Sequence, residues 1–207
     1  MTQYFEIHPA NPQARLISQA VAMLEQGAII AYPTDSCYAL GCLLGNKQGV
    51  ERIYRLRQLD KGHHMSLMCQ DLSSIATYAK VDNKDYRLLK TLTPGPYTFI
   101  LKGTNEVPRR LLHAKRRSIG IRVPDHSIAH ALLVELGEPI MSATLLMPGD
   151  EFPLNDPFEM KQRLKGSVDL IVDGGACGLE ETSVLSLESG GVEILREGKG
   201  SLEFLQQ

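Results

Sequence analysis

The stretch Gly27-Ala28-Ile29-Ile30-Ala31-Tyr32-Pro33-Thr34-Asp35-Ser36-Cys37-Tyr38-Ala39-Leu40-Gly41 decides how the rest of the chain is read. Residues 28–32 are a short apolar run, the pattern of a strand buried on both faces. Proline has no amide hydrogen to give a ladder, so Pro33-Thr34-Asp35-Ser36 interrupts the run, and residues 37–44 read as a second strand. Upstream, Ile17, Ala20, Val21 and Leu24 recur at helical spacing. Asn11 is the expected N-cap of that helix, Pro12 its first residue and Gly27 its terminator.

Working downstream, a helix is expected over 47 to about 56 and a strand over 65–69. Asp71 and Asp82 read as caps for helices 72–79 and 83–92. Thr93-Pro94-Gly95-Pro96 is a break. Strands are expected at 97–101, 118–123 and 139–144, with a helix over 127–136 ended by Gly137. A proline- and acid-rich loop at 148–156 precedes a helix running to Lys165, and strands at 168–172, 183–187 and 192–195 close the chain. Strands and helices interleave early and strands dominate late, so an α/β fold with a mixed sheet fits better than a purely parallel one. Without repeats or a linker, one domain over 1–207 is expected.

Composition narrows the classes. The 207 residues are 43% hydrophobic and 22% charged, ordinary for a globular protein. A net charge of -2 argues against a dedicated nucleic-acid coat, though a local basic surface is compatible with it. Cys37, Cys42, Cys69 and Cys177 form no C-x-x-C pair and no zinc pattern, so reduced thiols are expected. Residues 1–12 lack a signal-peptide pattern, and no apolar run approaches the roughly 20 residues that cross a bilayer, so a cytoplasmic protein without membrane contact is expected.

There is no G-x-x-x-x-G-K-[ST], which Gly198-Lys199-Gly200-Ser201 resembles only superficially, and no G-x-G-x-x-G. A bound nucleotide would therefore use neither a P-loop nor a Rossmann turn. Strand spacing instead pairs hydroxyls with arginine. Ser118, Gly120 and Arg122 share a face while Ile119, Ile121 and Val123 face the core. Ser142 and Thr144 form a second pair, and Thr182 and Ser183 open a further strand. Each is either a solvated sheet face or a ligand-facing one. Arg55 and Arg57 can serve one phosphate or carboxylate site only if their helix ends near Tyr54–Leu56, because residues two apart on a helix diverge. Six of the fourteen residues from Arg109 to Arg122 are basic. Arg109, Arg110, Lys115, Arg116 and Arg117 in that run are candidate RNA contacts, with no aromatic interleaved for base stacking. His126 and His130 have i, i+4 spacing but no third ligand, so no metal site is expected; His63-His64 reads as surface.

These motifs together resemble the YrdC/YciO family. The opening stretch looks like its N-terminal signature, followed in order by Thr93-Pro94-Gly95-Pro96-Tyr97-Thr98, Ile119-Gly120-Ile121-Arg122-Val123-Pro124, Ser142-Ala143-Thr144, Thr182-Ser183-Val184 and Arg196-Glu197-Gly198. Arg57-Gln58-Leu59 and Leu67-Met68-Cys69 look most like the YciO branch. The resemblance implies a twisted, mixed parallel and antiparallel sheet with flanking helices and a large concave basic cavity. It implies synthesis of threonylcarbamoyl-AMP from L-threonine, bicarbonate and ATP with Mg²⁺, feeding tRNA threonylcarbamoyladenosine, or else double-stranded RNA or tRNA binding with little synthase activity. It assigns Arg55, Arg57 and Ser142 to catalysis. It places Arg57, Ser118, Thr144 and Arg196 on the nucleotide, and Thr34, Arg122, Ser142 and Thr182 on the amino acid. The family motifs carry lysine in place of Arg55 and asparagine in place of Thr144.

Overall fold

A computed structural model describes residues 1–60 and 65–205; the His63-His64 reading lies outside them. Among the described residues ten strands form one sheet: β1 (Gln3–Glu6), β2 (Ile30–Tyr32), β3 (Ala39–Leu43), β4 (Ser66–Met68), β5 (Tyr97–Lys102), β6 (Ser118–Arg122), β7 (Ile140–Thr144), β8 (Leu170–Asp173), β9 (Ser183–Ser186) and β10 (Glu193–Arg196). Their order is β1-β8-β2-β3-β7-β4-β6-β5-β9-β10. Parallel pairs (β1/β8, β2/β8, β4/β6, β5/β9) occur together with antiparallel ones, so the expectation of a mixed sheet holds.

The helices are α1 (Ala14–Glu25), α2 (Lys47–Arg57), α3 (Leu72–Tyr78), α4 (Asn83–Leu92), α5 (Ser127–Leu136) and α6 (Pro157–Arg163). Asp71 and Asp82 cap α3 and α4 as their positions suggest, accepting from Ser74 N and from the amides of Lys84 and Asp85. Gly137 ends α5 in the left-handed conformation. The start of α1 differs from the reading above. Asn11 donates its amide to the His8 carbonyl in a turn, and the helix begins three residues later behind Gln13, without a side-chain cap. Strand β1 was not anticipated: it is defined by its parallel register against β8, a contact 167 positions away at Gln3–Leu170.

Side-chain alternation splits the core. Ile30 and Tyr32 join the apolar faces of α1 and α5, whereas Ile29 and Ala31 join the larger core on the opposite face. Helices α1 and α5 cover the β8-β2-β3-β7 half of their face. Beyond them, Gly41 of β3, Ser142 of β7, Ser66 of β4 and Gly120 of β6 stand side by side in register. Tyr32 and Ile140 fill the space over Gly41, whereas over Ser142, Ser66 and Gly120 the small side chains leave a hollow. Arg52 braces the rim of the fold, pairing at 2.8 Å with Asp169, which also accepts the Ile29 amide. Among the described residues no helix is long and apolar enough to cross a membrane.

Candidate functional site

The hollow over Ser142, Ser66 and Gly120 has a volume of about 160 Å³. Its lining includes Cys37, Ser66, Thr98, Gly120, Arg122, Ser142, Thr144, Glu181, Thr182 and Arg196. Drug-sized ligands fill roughly 300–1,000 Å³. The enclosed part therefore holds one small ligand group, and a nucleotide would extend over the rim.

One wall is the Pro33–Tyr38 loop between β2 and β3. Arg122, at the end of β6, reaches back to it with a single guanidinium nitrogen. Nη2 donates to Ser36 Oγ at 3.0 Å, to Thr34 Oγ1 at 3.2 Å and to the Asp35 carboxylate. Only 8% of the Arg122 side chain and 9% of Asp35 is exposed. Among the described residues neither Arg122 Nε nor Asp35 Oδ2 has a hydrogen-bond partner. A buried ion pair with one free donor and one free acceptor is unfinished by the usual accounting of buried polar groups. Thr34 hands its own hydroxyl to the Cys37 carbonyl at 2.6 Å, which folds the loop tightly beneath the arginine.

Beside the hollow, the buried Tyr32 ring lies over Gly41, and its hydroxyl sits 2.9 Å from Oγ of Ser142, which is in the lining. Burial pushes the Tyr32 phenol well above its usual range, so this contact is between two neutral hydroxyls. Thr98 and Thr182 pair through their hydroxyls at 2.8 Å.

The opposite wall is a chain of polar contacts. Glu181 accepts from Thr144 Oγ1 at 2.9 Å on one oxygen and from Arg196 Nη1 at 2.7 Å on the other. Arg196 also donates from Nε to the Thr182 carbonyl at 3.0 Å and from Nη2 to the Thr182 hydroxyl at 3.3 Å. Behind Thr144, Arg57 donates to the carbonyls of Thr144 at 2.6 Å and Leu146 at 2.7 Å. Burial lowers the affinity of that guanidinium for its proton, partly offset by Glu181. Burial raises the Cys37 thiol, against the Ser36 hydroxyl and Arg122, so it rests as the thiol rather than a nucleophilic thiolate.

Of the residues singled out from sequence, Arg122, Ser142, Thr144, Thr182 and Arg196 converge on this hollow. Thr34 lies directly behind Arg122, and Arg57 behind Thr144. Ser118 is buried at the far end of β6, opposite Lys102. Arg55 stands apart: α2 continues through Arg57, so the two guanidiniums diverge, and Arg55 lines a separate groove with Arg110. Arg109, Arg110, Lys115, Arg116 and Arg117 are exposed on the segment joining β5 to β6; Arg110 donates to the Gly45 carbonyl and Arg116 lies 3.5 Å from Glu188. His126 and His130 line another hollow of about 640 Å³ with Lys90 and Asp71. Among the described residues no three His, Cys, Asp or Glu side chains gather as a metal set.

Sequence reasoning did not anticipate Asp35 and Glu181 as partners of the cavity arginines, nor Ser66 and Thr98 in the lining. Thr98 was legible in principle, since it alternates with Phe99 on a strand whose apolar face is the core.

The Sua5–YciO–YrdC family model ("Telomere recombination") matches residues 22–198. The chain is 55% identical over 203 residues to the uncharacterised protein YciO of Escherichia coli K12, covering 98% of each. It superposes on the crystal structure of E. coli YciO with a TM-score of 0.95, again over 98% of each chain. It is 30% identical to the threonylcarbamoyl-AMP synthase of Bacillus subtilis, covering 93% of this chain and 55% of that protein. Sua5 of P. abyssi, solved in complex with L-threonine, matches all of this chain and 60% of its own at a TM-score of 0.88 and 22% identity, a likeness of fold.

Proposed function

The chain belongs to the Sua5–YciO–YrdC family, and from that premise we propose that its cavity binds L-threonine and a nucleotide, as a threonylcarbamoyl-AMP synthase would. The observation that carries this reading is Arg122: a buried guanidinium with Nε unpartnered, among the hydroxyls of Thr34 and Ser36 and facing the Ser142 side of the hollow. A small carboxylate completes it by taking Nε and sharing Nη2, the paired geometry that arginine favours. The free Asp35 Oδ2 suits an ammonium or hydroxyl of the same ligand. The enclosed volume matches an amino acid, and the Arg196–Thr182–Thr144 wall is where the phosphate and ribose of a nucleotide would lie.

Chemically, such a site acts by position and charge. Arg196 would stabilise negative charge on the α-phosphate as pyrophosphate leaves, and Arg57 would hold the wall by its two carbonyl contacts rather than touch substrate. Mg²⁺ would travel on the phosphate oxygens of ATP; the nearby carboxylates, Asp35 and Glu181, are both engaged with arginines. Bicarbonate would supply the carbamoyl carbon, and the product would serve tRNA modification in the cytoplasm. Calorimetry should give heats for threonine and for AMP, and threonine with bicarbonate should raise pyrophosphate release from ATP. Absence of any threonine heat at millimolar concentration would sink the reading.

A second reading, structured-RNA binding, rests on the exposed Arg109, Arg110, Lys115, Arg116 and Arg117 segment. Affinity for a tRNA or RNA duplex should then fall steeply with salt, and Arg116→Ala with Arg117→Ala should reduce that slope by about two while leaving threonine binding intact. Salt-independent binding counts against it.

A further inference from the structure

The cavity's arginines are not bare. Arg122 faces Asp35, Arg57 faces two main-chain carbonyls, and Arg196 faces Glu181. The Arg196 pair differs from the Arg122 pair in one respect. Asp35 is 9% exposed and locked beneath its arginine, whereas Glu181 is 32% exposed and Arg196 39%, at the open edge of the hollow. Glu181 spends both oxygens there, one on Arg196 and one on Thr144. Any phosphate that approached Arg196 would meet a carboxylate already sitting on Nη1.

We propose that Glu181 is a built-in counter-ion that sets the charge of ligand the cavity accepts, holding Arg196 against polyanions and admitting ligands of lower or mixed charge. The proposal rests on the binding reading of the preceding section and narrows it: a monophosphate ligand is favoured at Arg196, and ATP reaches that guanidinium only once Glu181 has been displaced. A phosphate gains Arg196 only by displacing Glu181, and the displaced carboxylate then stands beside the incoming negative charge. Like charges in contact repel, and at this partly exposed edge the repulsion weakens as salt rises. An amino acid at Arg122 makes no such demand. A monoanion with hydroxyls for Thr144 and Thr182 is disfavoured less than pyrophosphate or a triphosphate. The same carboxylate takes the Thr144 hydroxyl proton, so Thr144 can only accept from a ligand while Glu181 stays in place.

The test uses the full chain and inorganic pyrophosphate, titrated calorimetrically at two salt concentrations, with L-threonine as a parallel probe. Glu181→Gln keeps the shape and removes the charge. Pyrophosphate should bind on the order of tenfold more tightly than to wild type, with a steeper salt dependence, while threonine affinity stays within about twofold. Glu181→Ala, which leaves no amide to hold Thr144, should give the same direction. Glu180→Gln removes an identical charge one residue away, on an exposed side chain outside the hollow, and should leave pyrophosphate affinity unchanged. Pyrophosphate binding no tighter in both Glu181 variants overturns the proposal, as does Glu180→Gln matching Glu181→Gln. Failure of the nucleotide reading looks different: tighter pyrophosphate in Glu181→Gln but no heat with AMP or ATP in any form keeps the counter-ion and removes the nucleotide.

Discussion

Arg122→Met will destabilise the protein by about 3–5 kcal/mol, because it leaves the Asp35 carboxylate buried without its cation, and the proposed role of Arg122 predicts that the variant also gives no threonine heat. Arg122 is a buried charged residue, and among the described residues its side-chain hydrogen bonds go to one short loop, Thr34 to Ser36. For a chain of this length the loss corresponds to a fall in Tm of roughly 6–20 °C. Asp35→Asn combined with Arg122→Met removes the charge as well as its partner. The double variant should recover more than half of the lost stability, since removing both members of a buried pair costs far less than removing one. Urea midpoints at constant m-value measure both. Threonine binding should stay absent in the double variant. That dissociates the loop's stability from its recognition of the ligand. A double variant no more stable than the single one would mean that the pair does not couple, and that Arg122 holds the loop through the two hydroxyls alone.

The opening stretch explains why so much of the fold could be read in advance. The buried run, the proline break and the second strand are local features, and β2, the loop and β3 follow them in order. Where a cap residue and an apolar stripe coincide, as in α4 behind Asp82 or α5 before Gly137, the ends match to the residue. Where a cap-like pair had no hydrogen bond to make, as at Asn11 and Pro12, the chain turned instead and the helix began later. Strand spacing correctly separated Ile119, Ile121 and Val123 in the core from Gly120 and Arg122 on the cavity side. The same rule was silent about partners. Nothing local links Asp35 to Arg122 across 87 positions, or Glu181 to Arg196 across 15, since both pairs exist only once β6 and β10 have been laid into the sheet. Arg55 and Arg57 show the converse: two similar residues two apart suggest one site, and a helix that runs on through Arg57, about one residue past its expected end, sends them to different ones.

The second large effect concerns the wall that carries Glu181. Gly198→Ala is expected to cost about 1–3 kcal/mol and to disrupt binding on the Arg196 side of the hollow. A Cβ at this position would lie 2.4 Å from the Glu181 carbonyl oxygen and 2.7 Å from the Thr182 carbonyl carbon. These are backbone atoms, so no side-chain rotation relieves the contact. One route out lifts the Gly198–Ser201 segment, breaking Gly198 N to Ser183 Oγ at 3.0 Å, Lys199 N to the Glu181 carbonyl at 2.9 Å and Ser183 Oγ to the Gly200 carbonyl at 2.6 Å. The other pushes Glu181 and Thr182 inward, moving the carboxylate and carbonyl that hold Arg196. Either way the guanidinium loses its fixed place, and an anion site depends on that place more than on the charge itself. Gly191→Ala is the matched control, because a Cβ there meets nothing within 4 Å. It should stay within about 0.5 kcal/mol of wild type. Equal urea midpoints for the two glycine variants would show that the C-terminal segment yields freely and that the Arg196 wall is not held from behind.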